Sequence, residues 1–191
     1  MKKNLKFIIL GFLMVALILG YYYYISNKRT VNDIEDTTIN EVTIVDQLLL
    51  KNIENNYPPT PREVLKLYAD ITVAFYTQEY TEEQKRALAM KIRELYDDEL
   101  IAANPEIEYL EALYKEIDTF KSQGITFSSY AVCSATDVDY FTKDGRDIAR
   151  ADLALTVKQG TEAGITKETF ILRKDELGHY KIYGWALAKE D

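Results

Sequence analysis

The sequence has few of the residues from which disulfide bonds are formed and from which many catalytic sites are built. Its 191 residues include one cysteine, Cys133, and one histidine, His179. One cysteine cannot form an intrachain disulfide, so packing alone must stabilise the fold. No nucleophile motif accompanies the histidine, which argues against a Ser-His-Asp triad and against a zinc site built from histidine and cysteine. We therefore predict no catalytic residue, no metal and no cofactor.

Basic residues are also in short supply. Acidic residues outnumber them by 31 to 23, which gives a net charge of −8. All the acidic residues lie after residue 29, so this part of the chain is more negative than the whole. Such a charge repels the phosphates of nucleic acids and anionic lipid headgroups. We predict that the protein does not bind nucleic acid.

The N-terminus predicts a membrane anchor. Residues 7–25 carry no charge and are long enough to cross a hydrocarbon core of about 30 Å. Lysines precede this segment, and Tyr21–Tyr24 stand at its far end, which is typical of a helix with its N-terminus inside. A cleaved signal peptide is the alternative, but no A-x-A pattern follows. We predict a single-pass protein of the cell membrane, with residues 1–6 cytoplasmic and the C-terminal domain extracytoplasmic.

A stalk and three helices are predicted next. Residues 26–56 form the stalk, with a helix at about 38–55. Thr60 with Glu63, and Thr81 with Gln84, have the spacing of capping boxes and precede apolar stripes at helical spacing. The stripe after Thr81 predicts a helix as far as Leu100. A further helix opens at Asn104-Pro105 and closes at Gly124.

After Gly124 the apolar period changes from near 3.6 to 2. Alternation predicts four strands, at 125–137, 148–158, 165–173 and 179–188. Turn signals between them, such as Asp144-Gly145, predict antiparallel hairpins. The sequence therefore predicts an α+β domain over residues 57–191, in which three helices pack on a curved four-stranded antiparallel sheet that follows a membrane helix.

The order of these elements and the terminal hairpin carry a resemblance. Phe170-x-Leu172-Arg173-Lys174-Asp175-x-x-Gly178-x-Tyr180-Lys181-Ile182-x-x-Trp185 resembles the end of a nuclear-transport-factor-2-like cone, also called SnoaL-like, of the cystatin superfamily. The segment Asn56–Val64 is similar to an uncharacterised family of bitopic membrane proteins from Gram-positive anaerobes. The resemblance implies a cone of helices on a sheet. It implies no activity, because this fold hosts isomerases, dehydratases, carriers and scaffolds.

Three charged or reactive features have structural interpretations. Asp137, Asp139, Asp144 and Asp147 lie close together in sequence, but the spacing of an EF-hand is absent and a hairpin turn explains Asp144-Gly145 better. Cys133 has no basic neighbour in sequence and is expected to pack as a small apolar residue, with an interchain or redox role as the alternative. In the acidic run 97–99, Asp97 and Asp98 are expected to close a helix and face solvent, the alternatives being an acidic binding face or an acid–base pair.

Aromatic residues are abundant in the predicted cone, and many are tyrosines. Tyrosine offers apolar contact area together with a hydroxyl that can orient a ligand. We predict a pocket between the helices and the concave sheet, with Tyr68, Phe75, Tyr96 and Trp185 as candidate ligand-binding residues. The alternative is that the tyrosines fill the core and keep their hydroxyls at its margin.

Three functions follow from these observations. The leading hypothesis is a non-catalytic module that binds a protein partner in the cell envelope or associates with itself. The second is a small-molecule pocket, which a side-chain-filled interior would exclude. The third is an isomerase- or dehydratase-type enzyme, which requires a carboxyl group of raised pKa inside the cone.

Overall fold

The computed structural model describes residues 42–188, in which helices precede strands along the chain. The helices are α1 (Ile44–Leu50), α2 (Pro61–Thr77), α3 (Glu82–Arg93), α4 (Asp98–Ala103) and α5 (Glu106–Ser122). The strands are β1 (Ile125–Val132), β2 (Asp139–Lys143), β3 (Arg146–Gln159), β4 (Glu162–Lys174) and β5 (Tyr180–Leu187). All strand pairs are antiparallel, so this part of the chain is an α+β fold.

The structure corrects the predicted architecture of a membrane helix, three helices and four strands. Five helices and five strands are present between residues 42 and 188. None of the helices in this range has the length and apolar character needed to cross a membrane. The segment predicted to be the membrane helix, residues 7–25, lies outside the described residues, as does the predicted cytoplasmic segment 1–6.

Two helix starts predicted from capping boxes are confirmed. Thr60 is the N-cap of α2, and its hydroxyl accepts a hydrogen bond from the Glu63 amide (3.3 Å). Thr81 caps α3, where its hydroxyl accepts from the Gln84 amide (3.1 Å) while Gln84 accepts from the Thr81 amide (2.9 Å). Each bond satisfies a donor that the helix itself leaves unpaired, so a local sequence pattern determines the start.

Helix α1 is shorter than the helix predicted over residues 38–55 as part of a stalk. It begins at a capping box, in which the Thr43 hydroxyl accepts from the Asp46 amide (3.1 Å). Its inward residue Val45 is 1% exposed, and Leu48 is 4% exposed. Both belong to the main hydrophobic core, so α1 packs on the domain.

The helix predicted to continue from Thr81 to Leu100 is instead two helices, α3 and α4. Between them the backbone pairs with β5: the Leu95 carbonyl accepts from the Ile182 amide, and the Asp97 amide donates to the Ile182 carbonyl, both at 2.8 Å. The Asp97 side chain then caps α4 by accepting from the Glu99 amide (2.9 Å). The interruption comes from a contact with a strand more than 80 residues away along the chain, which helical periodicity does not reveal.

The sheet has the order β1-β3-β4-β5, and β2 also pairs with β3. Strand β3 is the longest, and β1 and β2 pair with successive parts of it. The alternation that predicted a strand over residues 148–158 is confirmed in β3, where Ala149, Ala151, Leu153 and Leu155 are all buried. β-Bulges interrupt β1 between Phe127 and Ser129 and the β4–β5 pair near Ile171. Bulges of this kind bend strands and increase their twist.

Strand β2 was not predicted, because none of its residues is buried and no alternation of apolar residues marks it. The hairpin at Asp144-Gly145 that joins it to β3 is confirmed. Asp144 has φ +53° and Gly145 has φ +75°, as a two-residue turn between twisted strands requires.

A buried ion pair joins the α3–α4 connection to the sheet. Arg173 of β4 donates through Nε to Asp97 Oδ2 (3.0 Å) and through Nη2 to the other Asp97 oxygen. Its Nη1 donates to Glu99 (3.0 Å), and its guanidinium lies over the ring of Tyr183. Arg173 and Asp97 are each 9% exposed. This bidentate geometry holds one end of α4 against the sheet.

We expect Arg173→Met to lower the free energy of unfolding by about 3 kcal/mol, because it leaves Asp97 buried without its partner. Arg146→Met is the matched control. Arg146 also contacts Glu99 (3.6 Å), but its side chain is 55% exposed, so its removal should cost less than about 1 kcal/mol. Urea unfolding of the two variants measures the difference. Equal losses of unfolding free energy in the two variants would show that the buried ion pair contributes no more to stability than the exposed one.

Candidate functional site

A cavity of about 870 Å³ lies between the helices and the sheet. Helices α2 and α5 and the segment around α4 supply most of its wall, and the sheet supplies the rest. The lining residues are Tyr68, Thr72, Phe75, Tyr76, Ile92, Tyr96, Leu100, Ala103, Asn104, Pro105, Glu108, Tyr109, Ala112, Leu113, Glu116, Phe127, Leu155, Glu168, Gly184 and Trp185. The exposed lining residues include Glu108, Ala112 and Glu116, so α5 forms a rim of the opening.

Helical and strand periodicity places these side chains. On α2, Tyr68, Thr72 and Phe75 follow steps of four and three residues, which keeps them on one face. On β4, Glu168 shares a face with Phe170 because strand side chains alternate. Trp185 of β5 is directly opposite Phe170 in the sheet, and their rings stack with centroids 5.5 Å apart.

The structure places all four predicted pocket residues on the wall of this cavity. Phe75 is fully enclosed, whereas Trp185 is 40% exposed. The ring of Trp185 lies 5.9 Å from that of Tyr68 and 6.0 Å from that of Tyr96, centroid to centroid. Tyr68 and Tyr96 also belong to the buried core, so packing and lining the cavity are not exclusive. Ligand binding by these residues stays a prediction.

The three glutamates of the cavity wall, Glu108, Glu116 and Glu168, were not predicted to line it. Glu116 of α5 accepts a hydrogen bond from the Tyr76 hydroxyl (2.9 Å). Glu168 is half-buried on the inward face of β4. Its position was detectable, because the alternation that buries Phe170 and Leu172 also turns Glu168 inward. The position of Glu116 depends on how α5 packs against α2, which the sequence does not specify.

The environment of the cavity disfavours ionisation of its acidic groups. Burial raises the pKa of Glu168, and the charge of Glu116 raises it further. Burial is also the main cause that raises the pKa of the Tyr109 hydroxyl to about 12 and that of Tyr96 well above its usual value. The rings of these two tyrosines lie 6.2 Å apart, centroid to centroid, and the Tyr109 hydroxyl donates to the Ala89 carbonyl (3.3 Å). The wall is thus apolar but carries oriented polar groups.

The acidic loop between β1 and β3 lies away from this wall. Asp139 pairs with Arg150 and Asp147 with Lys174 (3.7 Å), while Asp144 occupies the hairpin turn. Within residues 42–188, no group of three or more histidine, cysteine, aspartate or glutamate side chains is arranged to hold a metal ion.

The single histidine, the single cysteine and the acidic run 97–99 all make structural contacts. His179 stacks on Tyr57 at a centroid distance of 4.4 Å. Cys133 is half-buried, and its carbonyl accepts from Arg62 Nε (2.7 Å). The prediction that the run 97–99 faces solvent is wrong for Asp97, which is buried against Arg173.

A comparison with protein families matches residues 1–185 to the family described as a domain of unknown function, DUF6715. The chain belongs to this family. A comparison with curated proteins gives no match. The cavity of this DUF6715 chain is therefore interpreted from its own residues.

We expect Glu168→Gln to raise the free energy of unfolding at pH 7. A raised pKa in the folded state means that the folded protein holds this proton more tightly than the unfolded chain. Stability from this group is complete at low pH and is lost as the pH rises through the folded-state pKa. The gain from Glu168→Gln should therefore shrink as the pH is lowered toward about 4.

Urea unfolding at a series of pH values measures this effect. Glu162→Gln, at an exposed position of the same strand, is the control and should change stability little at any pH. A Glu168→Gln variant that is less stable than the parent at pH 7 would contradict the prediction.

Proposed function

We propose that this domain binds a small organic molecule in the cavity between its helices and its sheet. The observation that carries the proposal is the open interior of about 870 Å³, where a purely structural core would be filled by side chains. This volume lies in the range of ligand sites, roughly 300–1,000 Å³.

The chemistry of the wall supports the proposal. Ligand sites combine a mostly apolar and aromatic lining with a few placed polar groups. Here the aromatic rings of Tyr68, Tyr96 and Trp185 lie close together. The hydroxyl of Tyr76 and the carboxylate of Glu116 supply polar contacts at one side. A ligand with an apolar body and a polar group matches this arrangement of aromatic rings with polar side chains at one side.

The nuclear-transport-factor-2-like cone remains our proposal for the fold family. Helices that precede an antiparallel sheet, and a cavity between the two layers, support it. The resemblance adds no ligand and no reaction, because this fold serves many functions.

Acid–base catalysis is a second candidate function. It requires a carboxyl group of raised pKa inside the fold, and Glu168 has this property. We nevertheless propose a non-catalytic role, because a raised pKa does not by itself place a carboxyl group within hydrogen-bond reach of a substrate proton. Turnover of a bound ligand that is abolished in Glu168→Gln would favour the enzyme instead.

The protein-interaction module predicted from the sequence stays a prediction. Large apolar side chains that are strongly exposed occur on separate elements: Leu50 in α1, Ile107 in α5, Ile165 in β4 and Leu187 in β5. Their distribution over several elements does not by itself define one interface, whereas the cavity is a single concave feature.

The proposal predicts saturable binding of a neutral apolar probe, N-phenyl-1-naphthylamine, to the full chain. Trp185 is the only tryptophan and lines the cavity, so occupancy should quench its emission and sensitise that of the probe. Ala112→Phe introduces a ring at the rim and should weaken binding at least about tenfold, a difference of about 1.4 kcal/mol.

Ala102→Phe is the matched control, since Ala102 is also an exposed alanine in a helix but does not line the cavity. It should bind the probe as the parent does. Absence of saturable quenching, or equal binding by both variants, would contradict a ligand site in this cavity.

A further inference from the structure

We infer that the ligand is an organic cation, in which an amine or quaternary ammonium group stands beside an apolar body. The inference rests on the proposed function, because it assigns a ligand class to the same cavity. Three features carry it: the sign of the charges on the wall, the absence of ion pairs to these charges among the described residues, and the aromatic rings beside them.

All formal charges on the wall are negative. Its charged residues are Glu108, Glu116 and Glu168, and no lysine, arginine or histidine is among the lining residues. None of the ion pairs formed within residues 42–188 includes any of these three glutamates. The field inside the cavity therefore attracts cations and repels carboxylates and phosphates.

Two of the carboxylates, those of Glu116 and Glu168, influence the same tyrosine and each other. Burial is the main cause that raises the pKa of the Tyr68 hydroxyl, and the charges of Glu168 and Glu116 raise it further. Burial also raises the pKa of Glu168, and the charge of Glu116 adds to this effect. Like charges that are partly removed from water repel each other and lose hydration. A bound cation would relieve both effects, so the placement of these carboxylates favours a positive charge in the cavity.

The basic residue beside the cavity does not neutralise these carboxylates. Arg93 lies with its guanidinium 4.8 Å from the centre of the Tyr109 ring. Its Nη1 donates to the Asn104 carbonyl (2.7 Å), and it forms no ion pair with Glu116 or Glu168 among the described residues. Arg93 is thus held by the ring and the carbonyl of two lining residues, but it does not itself line the cavity.

Aromatic rings provide the second attraction. Tyr68 and Tyr96 each lie about 6 Å from Trp185, centroid to centroid, at tilted angles. The faces of such rings are electron-rich and attract ammonium groups, most strongly for tryptophan. The same rings give apolar contact to the body of the ligand. Carboxylates beside a group of aromatic rings select a cationic amphiphile over a neutral or anionic one.

The test is competition against bound N-phenyl-1-naphthylamine with four compounds of similar size at pH 7. They are 1-naphthylmethylamine, (1-naphthylmethyl)trimethylammonium, 1-naphthalenemethanol and 1-naphthoate. We expect the two cations to displace the probe at concentrations about tenfold lower than the neutral alcohol, and the anion to be weakest. If the amine displaces the probe at lower concentrations than the quaternary compound, the amine forms direct hydrogen bonds to the carboxylates.

Variants assign the preference to its residues. The double variant Glu116→Gln with Glu168→Gln should reduce the ratio between cation and alcohol to about one to two, because two of the three carboxylates of the wall lose their charge and only Glu108, on the exposed rim, keeps it. Glu162→Gln, which removes one exposed charge from the same strand, should leave the ratio unchanged.

The outcomes separate the two proposals. If the neutral probe binds but the cations have no advantage over the alcohol, the inference of a cationic ligand is wrong and the ligand cavity stands. If the advantage persists in the double variant, these carboxylates are not its cause and the inference is likewise wrong. If the neutral probe itself fails to bind, the proposed function falls and the inference falls with it.

Discussion

The ion pair between Arg173 and Asp97 is the constraint on which the cavity depends. It joins β4 to the connection between α3 and α4, together with the backbone pairing of Leu95 and Asp97 to Ile182. Helix α4 has only six residues, too few to be stable without tertiary contacts. Because Tyr96 and Leu100 of the wall come from this segment, the cavity keeps its shape only while the segment stays attached to the sheet.

The cavity also shows a conflict between stability and binding. Glu168 lies on the inward face of β4, where Phe170 and Leu172 are completely buried. An apolar residue there would extend the core, whereas a half-buried carboxylate loses hydration. Positions that break the pattern of a strand at some expense in stability are typical of functional sites. The conflict is the physical reason for treating Glu168 as part of a site.

Much of the candidate site could be predicted, because it is built on regular elements. Tyr68 and Phe75 lie on the apolar stripe of α2, so periodicity indicated the interior for both. Trp185 faces inward because the bulge in the β4–β5 pair shifts the register of β5. Strict alternation from the buried Ile182 would turn it outward. Glu116 could not be predicted. Its contact with Tyr76 joins two helices through residues that are 40 positions apart along the chain. Such contacts depend on how the helices pack. The open volume itself follows from that packing too.

The sequence by itself determined where α2 and α3 begin and which face of β3 is buried. The N-cap bonds of Thr60 and Thr81 form within three residues, and side-chain alternation follows from strand geometry. Only the tertiary structure decided that α3 ends at Arg93 and that β2 joins the sheet without a buried residue. Both depend on backbone pairing with other strands, and a hydrogen bond between main-chain groups carries no information about side chains.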